Sequence, residues 1–132
     1  MKKFPNNRYP SVKKVSDDER IGMVKEIFST ITSRYDFLNH FLSLRRDIAW
    51  RRFAVKQMIF SQTKRFLDIA CGTGDLSIMA CHRYKDVSVV GVDFVYPMVE
   101  MANEKAKKEE FTDRINFLQG NALSLPFADN SF

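Results

Sequence analysis

The residues best placed to do chemistry lie in one decapeptide, Phe66-Leu67-Asp68-Ile69-Ala70-Cys71-Gly72-Thr73-Gly74-Asp75. It reads as a buried strand that runs into a glycine turn, and the turn opens a helix. Strand, tight turn and helix start together form a cradle for a nucleotide-like ligand. Gly72 and Gly74 let the backbone turn sharply and approach a ligand closely. Asp68 closes the strand and Asp75 opens the helix. Two carboxylates flanking the loop suit a cationic ligand better than a pyrophosphate. The third glycine of a dinucleotide fingerprint would fall at position 77, which is Ser77.

Three further positions narrow the ligand. Val89-Val90-Gly91-Val92-Asp93 places an acid at the end of the next strand, 21 residues after Gly72. An acid there accepts hydrogen bonds from ribose hydroxyls; a strand-end Asp that merely caps a turn reads the same way. Gly120-Asn121-Ala122 follows a third strand. The amide of Asn121 offers both donor and acceptor to an adenine edge, or shapes a plain turn. Met98 offers a thioether to the adenine face, or fills a helix core. Asp68 can accept from an ammonium, and loop amides can receive a carboxylate. An adenosine end, an amino-acid end and a preference for positive charge together describe S-adenosylmethionine.

The elements that must position these residues follow from periodicity. Ser16-Asp17-Asp18-Glu19 is a capping box with Ser16 as N-cap. Ile21, Val24, Phe28, Ile31 and Tyr35 then mark one helical face. A short helical or irregular piece is expected over 37–44. A third helix is expected over 47–60, with Trp50 and Phe53 in the core. After Thr63 the pattern alternates: strand 65–70, helix 76–82, strand 87–92, helix 98–108, strand 115–119. This predicts an α/β fold, a Rossmann-like parallel sheet with right-handed crossovers, preceded by a helical cap. The expected division is a flexible arm over 1–15, a helical cap over 16–62, and the first half of a cofactor-binding α/β domain over 63–132. The apolar strand 65–70 should be central, yet no segment follows that would pair its free side. The sequence therefore reads as part of a longer sheet, or as one completed by another chain through strand swapping or a homo-oligomer.

Composition sets the outer limits. The 132 residues suit one domain, and 45% apolar with 28% charged residues is ordinary for a soluble one. No apolar run approaches the ~20 residues a membrane helix needs, and the first residues carry no signal-peptide core. Cys71 and Cys81 have no metal-ligand spacing, so no metal is expected and two free thiols in a reducing cytoplasm are. The net charge of +5 divides unevenly, +9 over residues 1–65 and −4 over 66–132. A basic front half admits an anionic membrane surface or nucleic acid as partner. The lack of interleaved aromatic and basic residues on a stacking platform disfavours nucleic acid.

These residues resemble the class I S-adenosylmethionine-dependent methyltransferases. Phe66–Asp75 is similar to their first motif, Val89–Asp93 to their ribose-binding strand end, and 116–127 to their third-strand segment. Tyr35-Asp36-Phe37-Leu38-Asn39-His40-Phe41-Leu42-Ser43, with Asp47 and Trp50, resembles more specifically the ubiquinone/menaquinone biosynthesis C-methyltransferases. Arg45 stands where that family commonly has Gly, and Asn121 where Asp is usual. The resemblance implies methyl transfer to a ring carbon of a polyprenylated quinol, at the cytoplasmic or inner membrane face. It implies cofactor contacts at Tyr35, Asp68, Cys71, Gly72, Gly74, Asp93, Phe94, Met98, Asn121 and Ala122. A quinol carbon becomes nucleophilic when a ring hydroxyl is deprotonated, so a general base is expected, with Asp36 and His40 as candidates. The Arg45, Arg46, Arg51, Arg52 cluster would face lipid headgroups, or simply solvent on a surface helix without a partner. About half of a typical family member would lie beyond these 132 residues.

Overall fold

The computed structural model describes residues 16–42 and 46–132. Helices α1 (Asp17–Leu42) and α2 (Arg46–Gln57) precede an alternating unit. That unit runs β1 (Arg65–Ile69), α3 (Asp75–Arg83), β2 (Ser88–Asp93), α4 (Tyr96–Lys108) and β3 (Ile115–Gln119). The three strands are parallel in the order β1-β2-β3. Leu67 pairs with Val90, and Gly91 with Phe117. Among the described residues β1 pairs with β2.

The capping box forms as read. Ser16 N–H donates to Glu19 Oε2 at 2.9 Å, and Glu19 N–H donates to Ser16 Oγ at 3.2 Å. The hydrogen bond from the Ser16 backbone N–H holds the Glu19 carboxyl below its usual range. From there α1 continues unbroken to Leu42, so residues 37–42 extend the first helix and are not a separate piece. Neither Gly nor Pro interrupts the chain between Met23 and Leu42, and nothing else there forces a stop.

The expectation for α2 needs a larger correction. Trp50 and Phe53 are not core residues: each is 66% exposed, and Val55 is the buried side chain. The helix carries two apolar stripes, Ile48 with Val55 and Trp50 with Phe53, and only one can face α3. The first does. The Tyr84 hydroxyl fixes this choice, lying 2.8 Å from the Val55 carbonyl oxygen and 2.9 Å from that of Met58. It shares its proton between two carbonyls at the end of α2, where helical acceptors lack partners.

The core sits between the sheet and helices α3 and α4. Cys81, Val87, Val89, Val99, Ala102, Ala106, Ile115 and Phe117 build it. Arg114 closes its lower end. Its guanidinium donates to the carbonyls of Tyr84, Lys85 and Cys81 at 3.0–3.1 Å, satisfying acceptors at the end of α3.

Candidate functional site

The chain turns sharply between β1 and α3. The strand ends at Ile69, one residue earlier than expected, because Ala70 takes a left-handed conformation with φ 58°. Gly72 and Gly74 follow with φ 56° and 81°. The two glycines serve different ends. A Cβ on Gly72 would meet nothing within 4 Å, so its backbone is bare for close approach. A Cβ on Gly74 would lie 2.5 Å from the Phe117 ring. Gly74 is a packing glycine at the start of α3.

Gly72 opens onto a cavity of about 290 Å³. Ala70 and Gly72 form one wall, Asp93, Phe94, Val95 and Met98 a second, and Val24 and Phe28 of α1 a third. Lys25 places its ammonium 4.1 Å from the centre of the Phe94 ring at the same junction. Asp93 organises the mouth. Its Oδ2 accepts from Gly72 N–H at 2.8 Å and its Oδ1 from Val95 N–H at 2.9 Å. The strand-end acid therefore both caps a turn and borders the cavity. Each of its oxygens has a second lone pair for a ligand hydroxyl.

Asp68 and Cys71 lie outside this wall. Asp68 is 7% exposed, and its Oδ2 accepts from Ser77 Oγ–H at 2.6 Å. Burial pushes the Asp68 carboxyl above its usual range, the Ser77 bond opposes this, and the nearby Asp93 charge adds to it. Burial and the same two carboxylates push the Cys71 thiol up to about 12, which makes it inert as a nucleophile. Cys71 and Cys81 are both buried and free.

Asp75 does not line this cavity. Its carboxylate binds Lys105 Nζ at 2.8 Å and Arg51 Nη1 at 3.0 Å. Asn121 is exposed, and its Oδ1 accepts from Leu123 N–H at 3.0 Å, so it shapes a turn after β3. Ala122 is exposed beside it, and neither lines the cavity. Gly120 N–H donates to the Asp93 carbonyl at 2.9 Å and so holds this turn near the mouth. Met98 is 2% exposed and serves both as core and as cavity floor. The side chains of Tyr35, Asp36 and His40, and all of Arg45, lie outside the described residues. No group of three His, Cys, Asp or Glu among the described residues is arranged to hold a metal ion.

Several contributors escaped sequence reasoning. Val24 and Phe28 showed as an apolar face, but nothing in their spacing said that the face borders a cavity. Ser77 counted as a missing glycine, whereas it is the partner of Asp68. The spacing of nine residues between them was a usable signal, since a strand end and the first turn of the next helix lie side by side.

Residues 13–132 match the model of the ubiE/COQ5 methyltransferase family. The chain is 46% identical over 115 residues to "Ubiquinone/menaquinone biosynthesis C-methyltransferase UbiE" of Geotalea uraniireducens, covering 86% of this chain and 49% of that protein. It is 44% identical over 106 residues to "Demethylmenaquinone methyltransferase" of Thermus thermophilus, covering 80% and 47%. The chain thus spans about half the length of the curated relatives it matches. Among solved structures, the YcgJ protein of Bacillus subtilis superposes with a TM-score of 0.54 at 35% identity, over 62% of this chain and 34% of that one. With a Rossmann-like sheet, a helical segment before it and a family match from residue 13 to residue 132, this chain belongs to the ubiE/COQ5 methyltransferase family.

Proposed function

We propose that the cavity beside Gly72 receives S-adenosylmethionine and that the protein transfers its methyl group to a ring carbon of a polyprenylated quinol. The observation that carries the cofactor reading is Asp93, a carboxylate fixed by two backbone amides at the mouth of an apolar cavity. The residues present fit the group. Gly72 leaves space for close approach, Asp93 accepts from ribose hydroxyls, and Met98 and Phe94 present soft apolar surface to an adenine. Asp68 would hold the amino group, directly or through water, after sharing its charge with Ser77. Asn121 and Ala122, in the turn held to Asp93 by Gly120, would meet the adenine from outside the cavity wall, and Tyr35 would reach the methionine carboxylate.

The cofactor supplies a methyl group already activated by its sulfonium. The protein's own task is alignment and exclusion of water. The apolar wall of Val24, Phe28 and Met98 serves exclusion. A base on α1, Asp36 or His40, would take the hydroxyl proton that makes the acceptor carbon electron-rich. The acceptor follows from the relatives: the Geotalea protein is named as a ubiquinone/menaquinone biosynthesis C-methyltransferase and the Thermus protein as a demethylmenaquinone methyltransferase.

Calorimetric titration of S-adenosylmethionine into the chain tests the cofactor assignment. Binding is expected, and it should weaken as pH falls through the Asp68 pKa, which lies above the usual carboxylate value. The sign follows from charge: protonated Asp68 no longer attracts an ammonium. No heat at millimolar ligand would remove the assignment, and binding that ignores pH in this range would remove Asp68 from the amino-group role.

Contact with a membrane is part of the same reading. No described helix is long and apolar enough to cross a bilayer. The outward face of α2 instead presents Trp50 and Phe53 beside Arg46, Arg52 and Lys56, all exposed. Exposed aromatics next to cations suit an anionic lipid interface, each cation contributing about 1 kcal/mol. Co-sedimentation with phosphatidylserine vesicles is expected, and it should fall several-fold in Trp50→Ala/Phe53→Ala. Equal binding by both proteins would exclude this face. Preferential binding to RNA would favour a nucleic-acid substrate over a quinol.

A further inference from the structure

Asp75 was expected to flank a ligand, yet it lies in a chain of charges that joins three helices. Asp47 Oδ2 binds Arg51 Nη2 at 2.7 Å, and Arg51 Nη1 binds Asp75 Oδ2 at 3.0 Å. Asp75 Oδ1 binds Lys105 Nζ at 2.8 Å, and Lys105 Nζ also donates to Thr73 Oγ1 at 2.9 Å. The chain begins on α2, passes through the first residue of α3, and ends on α4 and the glycine turn. Asp47, Arg51, Asp75 and Lys105 balance one another in charge. The side chains of Arg51, Asp75 and Lys105 are 22%, 26% and 27% exposed, so salt screens them less than a surface pair.

The position of this chain matters more than its strength. Helix α1 forms one wall of the cavity through Val24 and Phe28, and most of its described apolar side chains are exposed. Ile21, Met23 and Ile27 are 40%, 47% and 58% exposed, and Thr32 is its buried side chain among the described residues. It rests on α2 and on α4. Both supports are bound to the same carboxylate. The opposite wall, Ala70 and Gly72, is continuous in sequence with that carboxylate through Thr73 and Gly74.

We infer that Asp75 is a positioning residue: it holds α2 through Arg51 and α4 through Lys105, and thereby sets the α1 wall at a fixed separation from the glycine turn. This rests on the reading of the cavity as a cofactor site. A ligand that touches both walls would bind most tightly when their separation is fixed beforehand. The same linkage requires that a bound ligand protect α1 in return.

Hydrogen–deuterium exchange and calorimetry on the chain, Arg51→Gln, Lys105→Gln, Asp75→Asn and Arg51→Gln/Asp75→Asn test the inference. In each ligand-free variant, exchange over residues 20–31 of α1 should quicken, although none of the substituted residues lies on α1. Exchange over β2 should stay unchanged. S-adenosylmethionine affinity should fall about five- to tenfold in each single variant, and no further in the double one, because both substitutions break the same junction. Arg51→Gln leaves the glycine turn intact and decides the matter if Asp75→Asn does not fold. Unchanged α1 exchange in ligand-free Arg51→Gln and Lys105→Gln would overturn the inference, as would additive losses in the double variant. Failure of the unsubstituted chain to bind cofactor would instead remove the cofactor reading, and the ligand-free exchange would still decide whether Asp75 joins the two walls.

Discussion

Replacing Asp93 by Ala should weaken S-adenosylmethionine binding about 100-fold, equivalent to about 2.7 kcal/mol. Two losses combine. The ribose hydroxyls lose a charged acceptor, and a hydrogen bond to a charged group contributes about 1.5–3 kcal/mol. The site also loses its shape, since Asp93 accepts from Gly72 N–H at 2.8 Å and Val95 N–H at 2.9 Å. Without the carboxylate, the end of β2 no longer holds the glycine turn. Asp93→Asn should be nearly as damaging. One amide oxygen can replace one carboxylate oxygen, but the amide nitrogen would then point its own hydrogens at a backbone N–H. This ranking separates a clamp from a simple ribose acceptor: a role limited to the ribose predicts that Asn retains most of the affinity. Calorimetry on the three proteins decides, and wild-type affinity in Asp93→Ala would remove the residue from the site.

What the sequence revealed of this site depended on how local each feature was. The glycine turn, the strand before it and Asp93 were legible, because a strand–turn–helix unit fixes their mutual positions over about 20 residues. The alternation of strands and helices was legible for the same reason, with boundaries shifted by a residue or two. Ala70 shows why boundaries slip: an apolar residue after a strand gives no warning that it will take φ 58°.

Long-range choices were not legible. Trp50 and Phe53 carry more apolar surface than Ile48 and Val55, and surface area alone favoured burying them. The choice was made instead by Tyr84, 29 residues downstream of Val55, whose hydroxyl needs the carbonyls at the end of α2. Asp75 is a similar case. As a sequence feature it was a bare carboxylate at a helix start, suited to a cationic ligand. Its neutralisation by Arg51 and Lys105 depends on residues 24 and 30 positions away, on helices whose approach no local pattern specifies. In the proposed site, positive charge in the ligand would therefore be met by Asp68, with Asp93 nearby, and not by Asp75.

The second large effect is on stability. Gly74→Ala should destabilise the fold by about 3 kcal/mol, from two sources that add. An alanine held at φ 81° costs about 1–2 kcal/mol in the left-handed region. Its Cβ would also sit 2.5 Å from Phe117 Cζ and 3.0 Å from Ala102 Cβ, and forcing a methyl into a packed core costs about 1–3 kcal/mol. Phe117 cannot simply swing away. It is 4% exposed, and its ring also packs on Gly91, where an added Cβ would meet the same ring. Gly72→Ala is the matched control. It shares the left-handed φ but has nothing within 4 Å of the added Cβ, so about 1 kcal/mol of strain remains and no clash. The two substitutions should therefore diverge: Gly74→Ala lowers the urea midpoint strongly, while Gly72→Ala lowers it slightly and instead blocks the cavity mouth to cofactor. Phe117→Leu should recover part of the Gly74→Ala loss, because it removes the atoms that clash. Equal midpoints for the two alanine variants, or no recovery with Phe117→Leu, would show that backbone strain alone explains Gly74 and that the ring contact contributes nothing.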